Sequence, residues 1–69
     1  MKVTVFQNAR PEELEEKINE LGGIDLVSSR GGELVLEFDE DVEPWKHQGA
    51  IGRILDDLEE EELISSFRS

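Results

Sequence analysis

Apolar and polar positions along this chain follow two periods, and the switches between them mark out a series of strands and helices. Val3 and Val5 flank Thr4 in a β-branched and aromatic run from Lys2 to Gln7, closed by Asn8, which predicts a strand. Pro11 fits a first helical position, where its missing N–H is not needed, and Glu12 and Glu13 suit the positive end of a helix dipole. Leu14, Ile18 and Leu21 recur at helical spacing and predict a helix over Pro11 to Leu21, stopped by Gly22 and Gly23, one of them left-handed. Ile24 to Ser29 reads as a second strand, Arg30-Gly31-Gly32 as a tight turn, and Glu33 to Asp39 as a third strand. In that third strand Leu34, Leu36 and Phe38 alternate with Glu33, Val35, Glu37 and Asp39, so one face is apolar and the other mostly charged. Pro44 is read as opening a second helix with Ile51, Ile54, Leu55 and Leu58 on one face, Gly49 and Gly52 weakening its first turns.

Beyond Glu59 to Glu62 the pattern is ambiguous, because Leu63, Ile64 and Phe67 fit a longer helix or a last strand. An internal echo decides for the strand. Asp25-Leu26-Val27-Ser28-Ser29-Arg30 returns as Glu62-Leu63-Ile64-Ser65-Ser66-Phe67-Arg68, and Phe6 precedes Pro11 much as Phe38 precedes Pro44. Residues 63 to 68 are therefore expected to be a strand, completing two strand-helix-strand halves. Right-handed crossovers in both halves give an α+β fold, βαββαβ, with a four-stranded antiparallel sheet of order 4-1-3-2 and both helices on one face. The echoing strands fall at the edges, where their serines and arginines keep an unpaired backbone polar.

That pattern, over the whole chain, resembles the ferredoxin-like superfold, which includes ACT regulatory domains, metal-carrying domains, RNA-recognition motifs and subtilisin-type propeptides. The local match is to the propeptide or inhibitor type, whose opening strand, acidic helix, double glycine and next strand are similar to Val3-Thr4-Val5-Phe6, Pro11 to Leu21, Gly22-Gly23 and Ile24 to Val27. The resemblance implies a binding or inhibitory role. The chain departs from it in its very short hairpin, and no C-terminal extension to run into a protease cleft is expected.

The 69 residues suffice for one domain, residues 1 to 69, whose small size keeps its core lean. No cysteine is present, which excludes disulfides and thiolate metal sites and favours a cytoplasmic setting. No segment reads as a signal peptide or a membrane span, so no membrane partner is expected. The 18 acidic residues against 7 basic ones give a net charge of −11, which repels phosphate backbones and argues against direct nucleic-acid binding. Solubility, adaptation to high salt, or a surface for a basic partner would each account for such acidity.

Candidate chemistry is sparse. Metal-carrying relatives need a Cys-x-x-Cys loop after the first strand, where this chain has Gln7-Asn8-Ala9-Arg10. RNA-binding relatives need exposed aromatics and bases on the central strands, where this chain places Glu33 and Glu37. His47 is the sole imidazole, and no glycine-framed nucleophile accompanies it, so neither catalytic residues nor a cofactor are expected. Asp39 to Glu43 lacks the central glycine and ligand spacing of a calcium loop and reads as a solvated turn. Trp45 is expected to lid one end of the core with its N–H on a backbone acceptor, while Gly49-Ala50-Ile51-Gly52 suits either a ligand loop or close packing.

What remains is surface. Val27, Val35 and Ile64 are expected on the uncovered side of the sheet, opposite Leu26, Leu34, Leu36 and Leu63, with either Val3 and Val5 or Phe6 beside them. Asp56, Asp57, Glu60 and Glu61 are expected to form a negative region past the second helix, with Glu59 and Glu62. The sequence thus points to a non-enzymatic interaction or regulatory module that binds a protein partner, basic or a second copy of itself, through the sheet face and acidic helix ends. An inhibitor imitating nucleic-acid charge, or of the propeptide type, is the alternative, with an ACT-like small-ligand domain behind it.

Overall fold

The computed structural model describes residues 1–68 of the chain. The elements run β1 Lys2–Gln7, α1 Pro11–Leu21, β2 Ile24–Arg30, β3 Glu33–Phe38, α2 Ala50–Glu60 and β4 Ile64–Arg68. The strands form one antiparallel sheet in the order β2-β3-β1-β4, so the topology is the ferredoxin-like βαββαβ that the echo predicts. Register follows from the alternation. Val3 lies opposite Leu36 and Val5 opposite Leu34, and all four are buried, so one face of the central pair is apolar throughout. Leu14 and Ile18 from α1, and Ile51, Leu55 and Leu58 from α2, close over that face. Among the described residues every buried side chain is apolar.

The β2–β3 hairpin turns through Gly31 and Gly32 alone, with Arg30 paired to Glu33. Both glycines have positive φ, 56° and 85°, as a two-residue hairpin requires to match the twist of its strands.

One predicted boundary is corrected. Pro44 does not open the second helix; residues 44 to 49 are a succession of turns and α2 begins at Ala50. The reason lies at Gly49, whose left-handed φ of 82° cannot be accommodated within a right-handed helix. The turns instead deliver Trp45 to the core, where its ring meets Phe38 edge-on at 5.0 Å between centroids and its Nε1–H donates to the Gly22 carbonyl at 2.8 Å. This contact also accounts for the glycine after α1. A Cβ on Gly23 would stand 2.8 Å from the Trp45 ring, and φ there is 69°.

The end of α2 explains a second correction, concerning Ile64. The Leu63 N–H returns to the Leu58 carbonyl at 2.9 Å and the Glu62 N–H to the Glu59 carbonyl at 3.0 Å, with Glu62 at a left-handed φ of 63°. These bonds define a Schellman stop, in which the position that favours glycine is occupied by glutamate. The motif brings Leu63 back onto Leu58, both buried, and feeds the chain directly into β4. There Phe6 pairs with Ser66 and Gln7 with Ile64, leaving Ser65 as an extra residue in a β-bulge. The bulge turns Ile64 inward, and it is only 1% exposed, so it belongs to the core and not to the open face.

Replacing Glu62 by Gly removes the left-handed penalty of an L side chain and one negative charge at the unfavourable end of a helix dipole. It should stabilise the fold by about 1 kcal/mol. Urea denaturation should show a higher midpoint at unchanged slope; an equal or lower midpoint would contradict the geometry assigned to this helix stop.

Candidate functional site

Because both helices cover one side of the sheet, the other side is built from the residues between the core positions. Register aligns them in rows: Asp25, Glu37 and Lys2 at one end; Ser28, Val35, Thr4 and Arg68 across the middle; Arg30, Glu33, Phe6 and Ser66 at the other end. The choice left open for β1 is resolved, since Val3 and Val5 are buried on the helix side and Phe6 faces outward. Val27 is the extra residue of a bulge between the Leu26–Leu36 and Ser28–Val35 pairs, and it is 51% exposed beside the half-buried Val35. The Arg68 guanidinium sits 5.5 Å from the centroid of the Phe6 ring and 3.6 Å from the Glu33 carboxylate, tying β4 to β3 across the open face.

Of the residues expected at a partner surface, Val27 and Val35 are therefore brought together and Ile64 is not. Leu26 lies on the side expected for it. Its register with Leu36 puts it on the helix side, yet at the sheet's edge it remains 45% exposed. Asp56, Asp57 and Glu60 are exposed on α2, whose buried stripe faces the sheet, and Glu61 is exposed in the turn that caps it. They thus lie on the helix layer, away from Val27 and Val35. Part of that acidity is already engaged by bases from the α1 side. Arg10 donates to the Glu61 carbonyl and pairs with Glu13 at 3.1 Å, and the Lys17 ammonium stands 3.8 Å from the Glu61 carboxylate.

At the Lys2 end of the sheet, the Met1 ammonium donates to the Phe38 carbonyl at 2.9 Å and lies 2.7 Å from Glu37 and 3.1 Å from Glu40. Hydrogen bonds to Glu37 and then Glu40 raise its pKa above the ordinary value for an α-amine. His47 is exposed and pairs with Glu43, whose carboxylate also lies 3.1 Å from the Lys46 ammonium. Among the described residues no cluster has the makings of a metal site, and no helix is long and apolar enough to cross a membrane.

A hollow of about 460 Å³ opens between α2 and the ends of β1 and β4, lined by Val3, Ile51, Gly52, Leu55 and Phe67 with Met1 and Arg68 at its margin. Gly52 keeps part of this space free. It lies inside α2, and a Cβ there would meet nothing within 4 Å.

The outward residues Lys2, Thr4 and Arg68 were the part of the open face that sequence reasoning missed, and Phe6 had been left as one of two alternatives. Their signal is register, which the alternation of β3 transmits to β1 and then to β4. Comparison with protein-family models, with curated proteins and with solved structures finds no match.

Gly52→Ala should raise stability by about 0.5–1 kcal/mol, because neither backbone conformation nor packing calls for glycine at that position. Thermal or urea unfolding measures it; a loss of stability would mean that the hollow is filled by neighbouring atoms.

Proposed function

We propose that this domain is a non-enzymatic protein-interaction module whose working surface is the open face of the sheet. The observation that carries this reading is the apolar centre of that face, Val27 and Val35 with Thr4 and Phe6, held on a four-stranded scaffold and rimmed by charges of both signs. An apolar centre inside a polar rim is the anatomy of a protein interface, and sheet positions hold it more rigidly than loops would. The acidic residues of α2 lie on the opposite layer and take no part in that packed contact.

A second reading, an ACT-like regulatory domain, is favoured by the hollow beside Gly52. Its volume of about 460 Å³ suits an amino-acid-sized ligand of apolar character. Filling the hollow with Gly52→Leu would abolish such binding and leave a sheet-face partner untouched.

Val35→Glu tests the first reading. A carboxylate at the centre of the face would be desolvated by any closely packed partner, so partner affinity should fall by two orders of magnitude or more, equivalent to about 3 kcal/mol. Circular dichroism should remain unchanged, since Val35 points away from the core. Binding retained by a folded Val35→Glu variant would refute the assignment of the working surface.

A further inference from the structure

We infer that the open face of the sheet is an interface between two copies of this chain, stacked about a two-fold axis that runs parallel to the strands. This rests on the reading of that face as the working surface and names what covers it.

Charge is distributed unevenly over this molecule. Three of the 7 basic residues, Lys2, Arg30 and Arg68, share the open face with three of the 18 acidic ones, Asp25, Glu33 and Glu37. The face is electrically balanced, and the entire net charge of −11 falls on the rest of the surface. A basic protein would be drawn to the acidic helix layer, and a nucleic acid needs a positive surface. A second copy is repelled everywhere except across this face.

The arrangement of the charges is also self-complementary. An axis parallel to the strands, between β3 and β1, lays each β3 over the β1 of the second copy and each β2 over its β4. Lys2 then stands over Glu37 of the second copy and Glu37 over its Lys2, while Val35 meets Thr4 and the Val27 bulge meets the strand carrying Arg68. No like charges are superposed. A two-fold axis across the strands would instead set Glu37 on Glu33 and Arg68 on itself, which the same charges disfavour. Sheets stacked face to face lie about 10 Å apart with their strands within about 30°, a separation that lysine and glutamate side chains span.

Area sets the strength. Four strands spaced about 4.8 Å apart, with six residues in β1 rising about 3.3 Å each, present a face of roughly 20 Å by 20 Å. The pair therefore buries an area at the low end of specific interfaces, and its dissociation constant is expected to be micromolar or weaker.

Sedimentation velocity of the intact chain, from about micromolar to about millimolar concentration, should resolve a monomer–dimer equilibrium. Lys2→Glu and Glu37→Lys should each weaken it roughly tenfold or more by setting like charges together, and the double variant should return toward the wild type. Circular dichroism monitors folding, and Glu37→Gln, which removes the charge without reversing it, serves if Glu37→Lys does not fold. A wild type that stays monomeric throughout, or reversals whose effects add without compensation, would overturn the inference. A monomeric wild type whose protein partner is lost on Val35→Glu would overturn the second copy alone and leave the interaction-module reading standing. A dimer indifferent to both Val35→Glu and the charge reversals would overturn the two together.

Discussion

Burial of one face of the β1–β3 pair is the constraint on which the rest of this molecule depends. Val3, Val5, Leu34, Leu36 and Phe38 form a continuous apolar surface, and each such side chain is worth about 1.5–3 kcal/mol when fully removed from water. A 69-residue chain has little other core to draw on. The helices must therefore lie on that side, the echoing strands must flank the central pair, and Trp45 must close the end that α1 leaves open by packing on Phe38 and bonding to the Gly22 carbonyl.

The same constraint leaves the opposite face of the sheet uncovered, and the chain handles its two exteriors differently. The helix layer carries the acidic residues of α1 and α2, relieved locally where Arg10 and Lys17 meet the segment around Glu61. The sheet face carries acids and bases in equal number around Val27, Val35, Thr4 and Phe6, with Arg68 bridging Phe6 and Glu33. Both edge strands contain a bulge, at Val27 and at Ser65, where the Ser65 hydroxyl donates to the Phe6 carbonyl at 3.3 Å. Bulged edges discourage side-by-side addition of further strands, so the broad face is the better surface for association.

Much of the fold was legible from the residues. The alternation in β3, the glycine hairpin, the proline that opens α1 and the repeated Ser-Ser segment suffice for the element order and the strand order. The bulges were not legible, because a one-residue insertion leaves no mark on composition, and they reversed one side chain. Val27 and Ile64 occupy equivalent places in the echo, yet the bulge falls on Val27 in β2 and one place later, on Ser65, in β4. One valine consequently faces solvent while the isoleucine is buried. The start of α2 was hidden for a related reason. Pro44 and Gly49 are both compatible with a helix beginning, and the demand that Trp45 reach the core, which only the tertiary structure reveals, selects Gly49. Of the expected partner surface, Val27 and Val35 came from alternation alone, whereas Lys2, Phe6 and Arg68 required the register between strands.

The most direct test of the central claim, that the balanced sheet face is the surface this domain presents for association, is a dilution series of amide chemical shifts. Concentration-dependent shifts are expected at Lys2, Thr4, Phe6, Val35, Glu37 and Arg68, with Asp56 to Glu62 constant. Shifts confined to Asp56 to Glu62, with the sheet face silent, would contradict that claim.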